Sequence, residues 1–107
     1  MLTNQDIQIM TKIIVDRFHP NQIYLFGSYA KNEQTEDSDI DFFVVVSEEV
    51  LNTRELQGQI RGALADYDID KDIIVASCET FEKLKNSKWY LYRQIIRQGK
   101  VIYEQAA

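Results

Sequence analysis

The sequence predicts an α+β fold of two layers: a small mixed β-sheet with helices on one face, in the order α-β-α-β-α-β-α. Three observations predict it. Apolar runs of strand length, rich in β-branched and aromatic residues, occur at residues 23–26, 42–46 and 73–76, each too short for a buried helix and each set off by polar or turn residues. Around and between them, apolar residues recur at helical spacing. A Gly27-Ser28 pair directly follows the first run, and acids stand at the heads of the second and third, so one end of the sheet gathers polar chemistry.

Residues 3–18 read as a helix. Thr3 and Asp6 are spaced as a variant capping box, and Ile7, Met10, Ile14 and Phe18 fall on one face. His19-Pro20 ends it: histidine suits the negative end of a helix, and proline cannot continue one. The single histidine is therefore assigned to capping and not to general-base catalysis. Strand one covers residues 23–26. Beyond Gly27-Ser28, residues 29–31 are expected to begin a short helix whose N-terminus faces a phosphate. The polar stretch 32–37 forms a surface loop leading to strand two at 40–46.

A second long helix spans 51–67, with Leu56, Ile60, Leu64 and Tyr67 at helical spacing. Gly58 and Gly62 lie within it at about 1 kcal/mol each relative to alanine, which implies either close packing there or a tolerated weakness. Strand three covers 71–76. Ser77 or Glu79 opens a short helix through Leu84, Ser87 caps a last helix to about Gln98, and Gly99 stops it. On that last helix Trp89, Tyr92 and Ile96 form the core stripe. Tyr90 and Arg97 fall outside it, free for a partner or a nucleotide.

The chemistry lies in Gly27-Ser28 and the acids. A small-residue turn lets backbone N–H groups approach a phosphate, and Asp39 and Asp41, at i and i+2, point to one face of the sheet. Two carboxylates beside a nucleoside triphosphate would repel it unless divalent cations lay between them. Magnesium suits this arrangement, since it takes hard oxygen ligands and is bound through one or two carboxylates plus substrate phosphates. Asp72 directly precedes Ile73-Ile74-Val75, and if that run pairs beside the Asp41 strand its carboxylate reaches the same metals. Asp70, two residues further out on the same side, is the fallback. An Asp-x-Asp alone is more often a turn or cap; here the apolar strand that follows argues for a site.

With these residues in place the chain resembles the nucleotidyltransferase superfamily typified by DNA polymerase beta, and within it the small prokaryotic minimal nucleotidyltransferases (MNT). Leu25-Phe26-Gly27-Ser28-Tyr29-Ala30-Lys31 is similar to the family's LFGSxAR stretch, Ser38-Asp39-Ile40-Asp41-Phe42 to its SDID segment, and residues 99–104 to its GxxLYE-like ending. The resemblance implies transfer of a nucleoside monophosphate, AMP from ATP, to an acceptor hydroxyl with two Mg2+ ions. It implies that Asp39 and Asp41 ligate both metals, that Asp72 helps hold the one that activates the acceptor, and that Gly27, Ser28 and Lys31 contact the triphosphate. It further implies a two-gene toxin–antitoxin module, in which this chain is the antitoxin and a helical HEPN protein is its partner and acceptor. Where the family commonly has Ala-Arg-Gly this chain has Ala30-Lys31-Asn32. Lysine keeps the charge but loses arginine's bidentate fork, and asparagine can supply the left-handed turn. Lys31-Asn32 is thus the feature that favours a second reading, a module that neutralises its partner by binding with little turnover. Transfer to a small molecule is a third.

Length and charge bound these readings. The 107 residues predict one domain, 1–107, with one core and no separate acceptor-binding domain. A net charge of −5 disfavours direct nucleic-acid binding, which rests on Lys and Arg neutralising phosphates. No stretch has the length or apolarity to span a bilayer, and the N-terminus has no signal-like pattern, so a cytoplasmic location is expected. Cys78, the only cysteine, has no disulfide partner and reads as a passive residue at a strand end. An exposed sheet face leaves room for a partner or for a homo-oligomer.

Overall fold

The computed structural model describes residues 2–85 and 90–106. Helix α1 (Asn4–Phe18) begins with the expected capping box: Thr3 Oγ1 accepts from the Asp6 N–H at 3.1 Å, and the Asp6 carboxylate accepts from the Thr3 N–H at 2.9 Å. It ends at His19, which is left-handed (φ 49°) and donates its N–H to Val15 O at 3.0 Å. Ile7, Met10 and Ile14 are its buried side chains.

The sheet contains β1 (Gln22–Phe26), β2 (Ile40–Val46), β3 (Lys71–Ser77) and β4 (Lys100–Glu104) in the order β3-β2-β1-β4. β1 runs antiparallel to both β2 and β4, while β2 and β3 are parallel. A parallel neighbour needs a crossover connection, and helix α2 (Thr53–Ala63) supplies it. The sheet is therefore mixed, as expected, with one strand more than the sequence reading assigned.

β2 explains why both faces are covered. Ile40, Phe42, Val44 and Val46 join α1 and α2 in one cluster with Ile23, Leu25, Ile73 and Val75. The alternate residues Phe43 and Val45 point the other way and meet Phe26, Ala76, Phe81 and Ile95. Phe81 lies on α3 (Cys78–Leu84) and Ile95 on α4 (Tyr90–Gln98). A run apolar on both sides needs cover on both sides, so the second face is less open than a sheet with helices on one face alone. Tyr24, Phe43 and Phe81 pack ring to ring there, with centroids 5.3–6.4 Å apart. Among the described residues no polar or charged side chain is buried.

Three local expectations differ from the structure. Residues 29–31 form an irregular turn, not the start of a helix, closed by Lys31 N–H to Gly27 O at 3.3 Å and Glu33 N–H to Ser28 O at 2.9 Å. α2 is shorter than 51–67, because Asn52 caps its start and the chain turns through residues 64–66 at its end. β4 was unassigned: five residues at a sheet edge carry too little apolar pattern of their own, and pairing with β1 makes them a strand. Gly58 and Gly62 would meet nothing if given a Cβ, so neither packs closely against the sheet. Ser87 and Trp89 lie outside the described residues, as do the side chains of Tyr90, Tyr92 and Ile96. Ile95, absent from the proposed stripe, is fully buried, and Arg97 is exposed.

Candidate active site

β1 runs directly into Gly27, and antiparallel pairing sets Phe26 opposite Asp41. Gly27 has φ +73°, a left-handed conformation that side chains disfavour. A Cβ there would collide with Asp41 Oδ2. Glycine is thus required twice, by its dihedral and by the carboxylate lying against it. Ser28 opens the turn that follows, and Asn32 closes it with φ 58°, the left-handed conformation expected of it. Lys31 sits exposed on this turn.

Strand periodicity sets the acids. Asp41 shares a face with Phe43 and Val45, so its carboxyl lies at the end of the cluster roofed by Phe81 and Ile95. Asp72 is its register partner on the parallel strand β3, and shares the face of Ile74 and Ala76. Asp39 precedes β2 and is exposed, on a loop fixed by Thr35 N–H to Ser38 Oγ at 2.8 Å and Ser38 N–H to Thr35 O at 3.1 Å. Asp70 O accepts the Ile40 N–H at 3.0 Å, which starts the β2–β3 ladder beside the site.

The electrostatics single out Asp41. Its pKa is pushed up to about 7, first by burial, then by hydrogen bonding to Asp72 and by the charges of Asp72 and Asp39. A protonated Asp41 carboxyl donates to the Asp72 carboxylate. Of the two candidates for the third acid, Asp72 is the register partner of Asp41, while Asp70 stands just ahead of β3. Acids gathered at a half-dry strand end repel one another unless a proton or a cation intervenes. Oxygen donors of this kind suit Mg2+. Among the described residues no three His, Cys, Asp or Glu side chains converge as one ligand cage; a divalent cation would draw on the Asp41 and Asp72 carboxylates, which stand side by side on adjacent strands.

Two features escaped the sequence. On the β3 side, a cleft of about 500 Å3 is lined by Asp39, Asp72, Asp70, Ile69, Arg61 and Lys71. It runs on into a neighbouring cleft of about 520 Å3 that adds Glu36, Asp37 and Asp68. Arg61 comes to the site only through the packing of α2 against β3, for which no local pattern exists, whereas Lys71 directly precedes Asp72 on β3. A larger cavity of about 990 Å3 lies between α1 and β4, touching Tyr29, Gln34 and Val101. It is on the opposite face from the acids and holds none of them, so chemistry and not volume identifies the site.

Known proteins match this arrangement. Residues 8–107 fit the family described as polymerase beta, nucleotidyltransferase. The chain is 35% identical over 82 residues, 77% of either chain, to the Methanocaldococcus jannaschii protein named "Putative protein adenylyltransferase MJ0604". Among solved structures it is similar to a chain in a toxin–antitoxin crystallised with AMP-PNP, at 28% identity and TM-score 0.60, covering 96% of this chain and 75% of that one. It is also similar to a chain in a mutant of the toxin–antitoxin MntA–HpeT, at 27% identity and TM-score 0.64, covering 98% of this chain and 75% of that one.

Proposed function

The chain belongs to the polymerase beta nucleotidyltransferase family, and we propose that it moves AMP from ATP onto a hydroxyl of a protein partner, as the antitoxin of a toxin–antitoxin module. The observation that carries this reading is the juxtaposition of Asp41 with Gly27 on one side and Asp72 on the other. It sets a glycine turn, open to close approach by a phosphate, beside acids whose mutual repulsion a cation would relieve. The adenylyltransferase name of one relative and the toxin–antitoxin assemblies of two structural neighbours support protein as the acceptor. A HEPN-type helical toxin is the proposed partner, on the strength of the sequence resemblance to MNT proteins.

In this mechanism the Gly27-Ser28 turn receives the triphosphate, with backbone N–H groups free of any Cβ in the way. Lys31, exposed on the same turn, contributes a mobile positive charge to the phosphate tail. Asp39, Asp41 and Asp72 would hold Mg2+, which supplies charge neutralisation and eases loss of the acceptor proton. The acceptor oxygen attacks the α-phosphorus, and the bond from that phosphorus to the oxygen bridging to the β-phosphate breaks. Pyrophosphate leaves with that electron pair, and the hydroxyl proton passes to solvent. No histidine enters, since His19 lies at the end of α1, ahead of β1, while Asp41 pairs with Phe26 at that strand's other end.

The test is to incubate the protein with Mg2+ and each α-labelled nucleoside triphosphate in lysate from its own source, beside an Asp41→Asn control. Label from ATP on a discrete protein band, absent in the control, is the expected result. Nucleotide binding with no labelled product in any fraction would replace this reading with a module that neutralises its partner by occupancy.

A further inference from the structure

The proposed transfer has a direction across the sheet. Gly27 and Ser28 follow β1, Asp41 stands on β2 and Asp72 on β3, so a triphosphate tail on the turn leaves β3 as the far side. In-line displacement places the attacking oxygen opposite the leaving pyrophosphate. β3 is an edge strand, and the cleft of about 500 Å3 opens there, with Asp72 and Asp39 in its wall. Resting on the transferase reading above, we infer that this cleft is the acceptor entrance and that it selects a hydroxyl borne on a lysine- or arginine-rich stretch of polypeptide.

The lining carries the selectivity. Besides the acids already placed, Glu36, Asp37 and Asp68 border the outer part of the cleft, all exposed. Its two cations are turned onto backbone carbonyls. Lys71 Nζ donates to Tyr67 O at 2.6 Å and Ile69 O at 2.9 Å, and Arg61 Nη2 donates to Lys71 O at 3.4 Å. Both keep their charge, but six acids, Glu36, Asp37, Asp39, Asp68, Asp70 and Asp72, line the same two clefts. The field at the mouth is therefore negative, which repels a polyanion and draws in a basic segment. A cleft of this size takes a side chain and a short loop.

Fluorescein-labelled peptides of about ten residues test this, each with one central tyrosine flanked by lysines, by glutamates or by serines. A labelled single-stranded oligonucleotide serves as the polyanion. Binding is read by anisotropy with Mg2+ and a non-hydrolysable ATP analogue present. The lysine peptide is expected to bind at least about tenfold more tightly than the glutamate peptide, and to weaken in about 0.5 M salt, where screening acts within a few ångströms. The triple variant Glu36→Lys, Asp37→Lys, Asp68→Lys should abolish that preference while keeping the wild-type shift in Tm with Mg2+ and the analogue, which shows that it is folded and takes nucleotide. Equal binding of all peptides, tighter binding of the oligonucleotide, or an unchanged preference in the folded triple variant overturns the inference and leaves the transferase reading standing. Lysine-peptide binding by a wild type that takes no nucleotide overturns the acceptor assignment together with that reading.

Discussion

Asp41 is held where packing and charge conflict. Burial and the neighbouring Asp72 raise its pKa from 3.8 to about 7, so the folded chain holds this proton more tightly than the unfolded chain does. The stabilisation is fully present below about pH 4 and is lost as pH rises through about 7. With no nucleotide added, this group makes the protein melt higher at pH 6 than at pH 8, and Asp41→Asn should flatten that difference. The same variant should raise Tm at pH 8 by a few degrees, about 1 kcal/mol once solvent screening of the half-buried carboxyl is allowed for. Because metal ligation needs the deprotonated carboxylate, Mg2+–nucleotide affinity should rise with pH through about 7, with proton release measurable by titration in buffers of different ionisation enthalpy. Gly27→Ala tests the other half of the site. With its φ of +73° and Asp41 Oδ2 in the way, it should cost about 2 kcal/mol or more in denaturant unfolding and remove nucleotide binding.

At the scale of the elements, α2 offers the cleanest expectation. Gly58 is exposed, mid-helix, with open space where a Cβ would go, so Gly58→Ala should stabilise the protein by about 0.5–1 kcal/mol in urea unfolding. The strands at residues 40–46 and 71–76 were legible because each contains a continuous apolar run, 42–46 and 73–76, and the capping box at Thr3 because it is a local pattern. Gly27, Asp41 and Asp72 could be placed together for the same reason: each stands one step from such a run. β4 was not legible, since Val101 and Tyr103 become strand residues only by pairing with Tyr24 and Ile23. The turn after Ser28 was misread because its polar residues suit a helix start and a reverse turn equally well. Arg61 carries no signature at all; only the docking of α2 on β3 brings it to the acids.

On the scale of the whole molecule, the two cores do different things. α1 and α2 anchor β1–β3 on one face, while Phe81 and Ile95 seal the other face up to the point where the acids begin. Ile95→Ala, which empties a fully buried position, should cost about 2–4 kcal/mol and loosen the site with it, seen as lower Tm and weaker nucleotide binding together. Among the described residues no helix is long and apolar enough to cross a membrane. The most direct measurement is a calorimetric titration at pH 8 of a non-hydrolysable ATP analogue into wild type and Asp41→Asn, each with and without Mg2+. The account predicts Mg2+-dependent binding to wild type and a loss of about a hundredfold or more in the variant, at unchanged or higher Tm. Equal affinity in the two proteins, or binding indifferent to Mg2+, would contradict it.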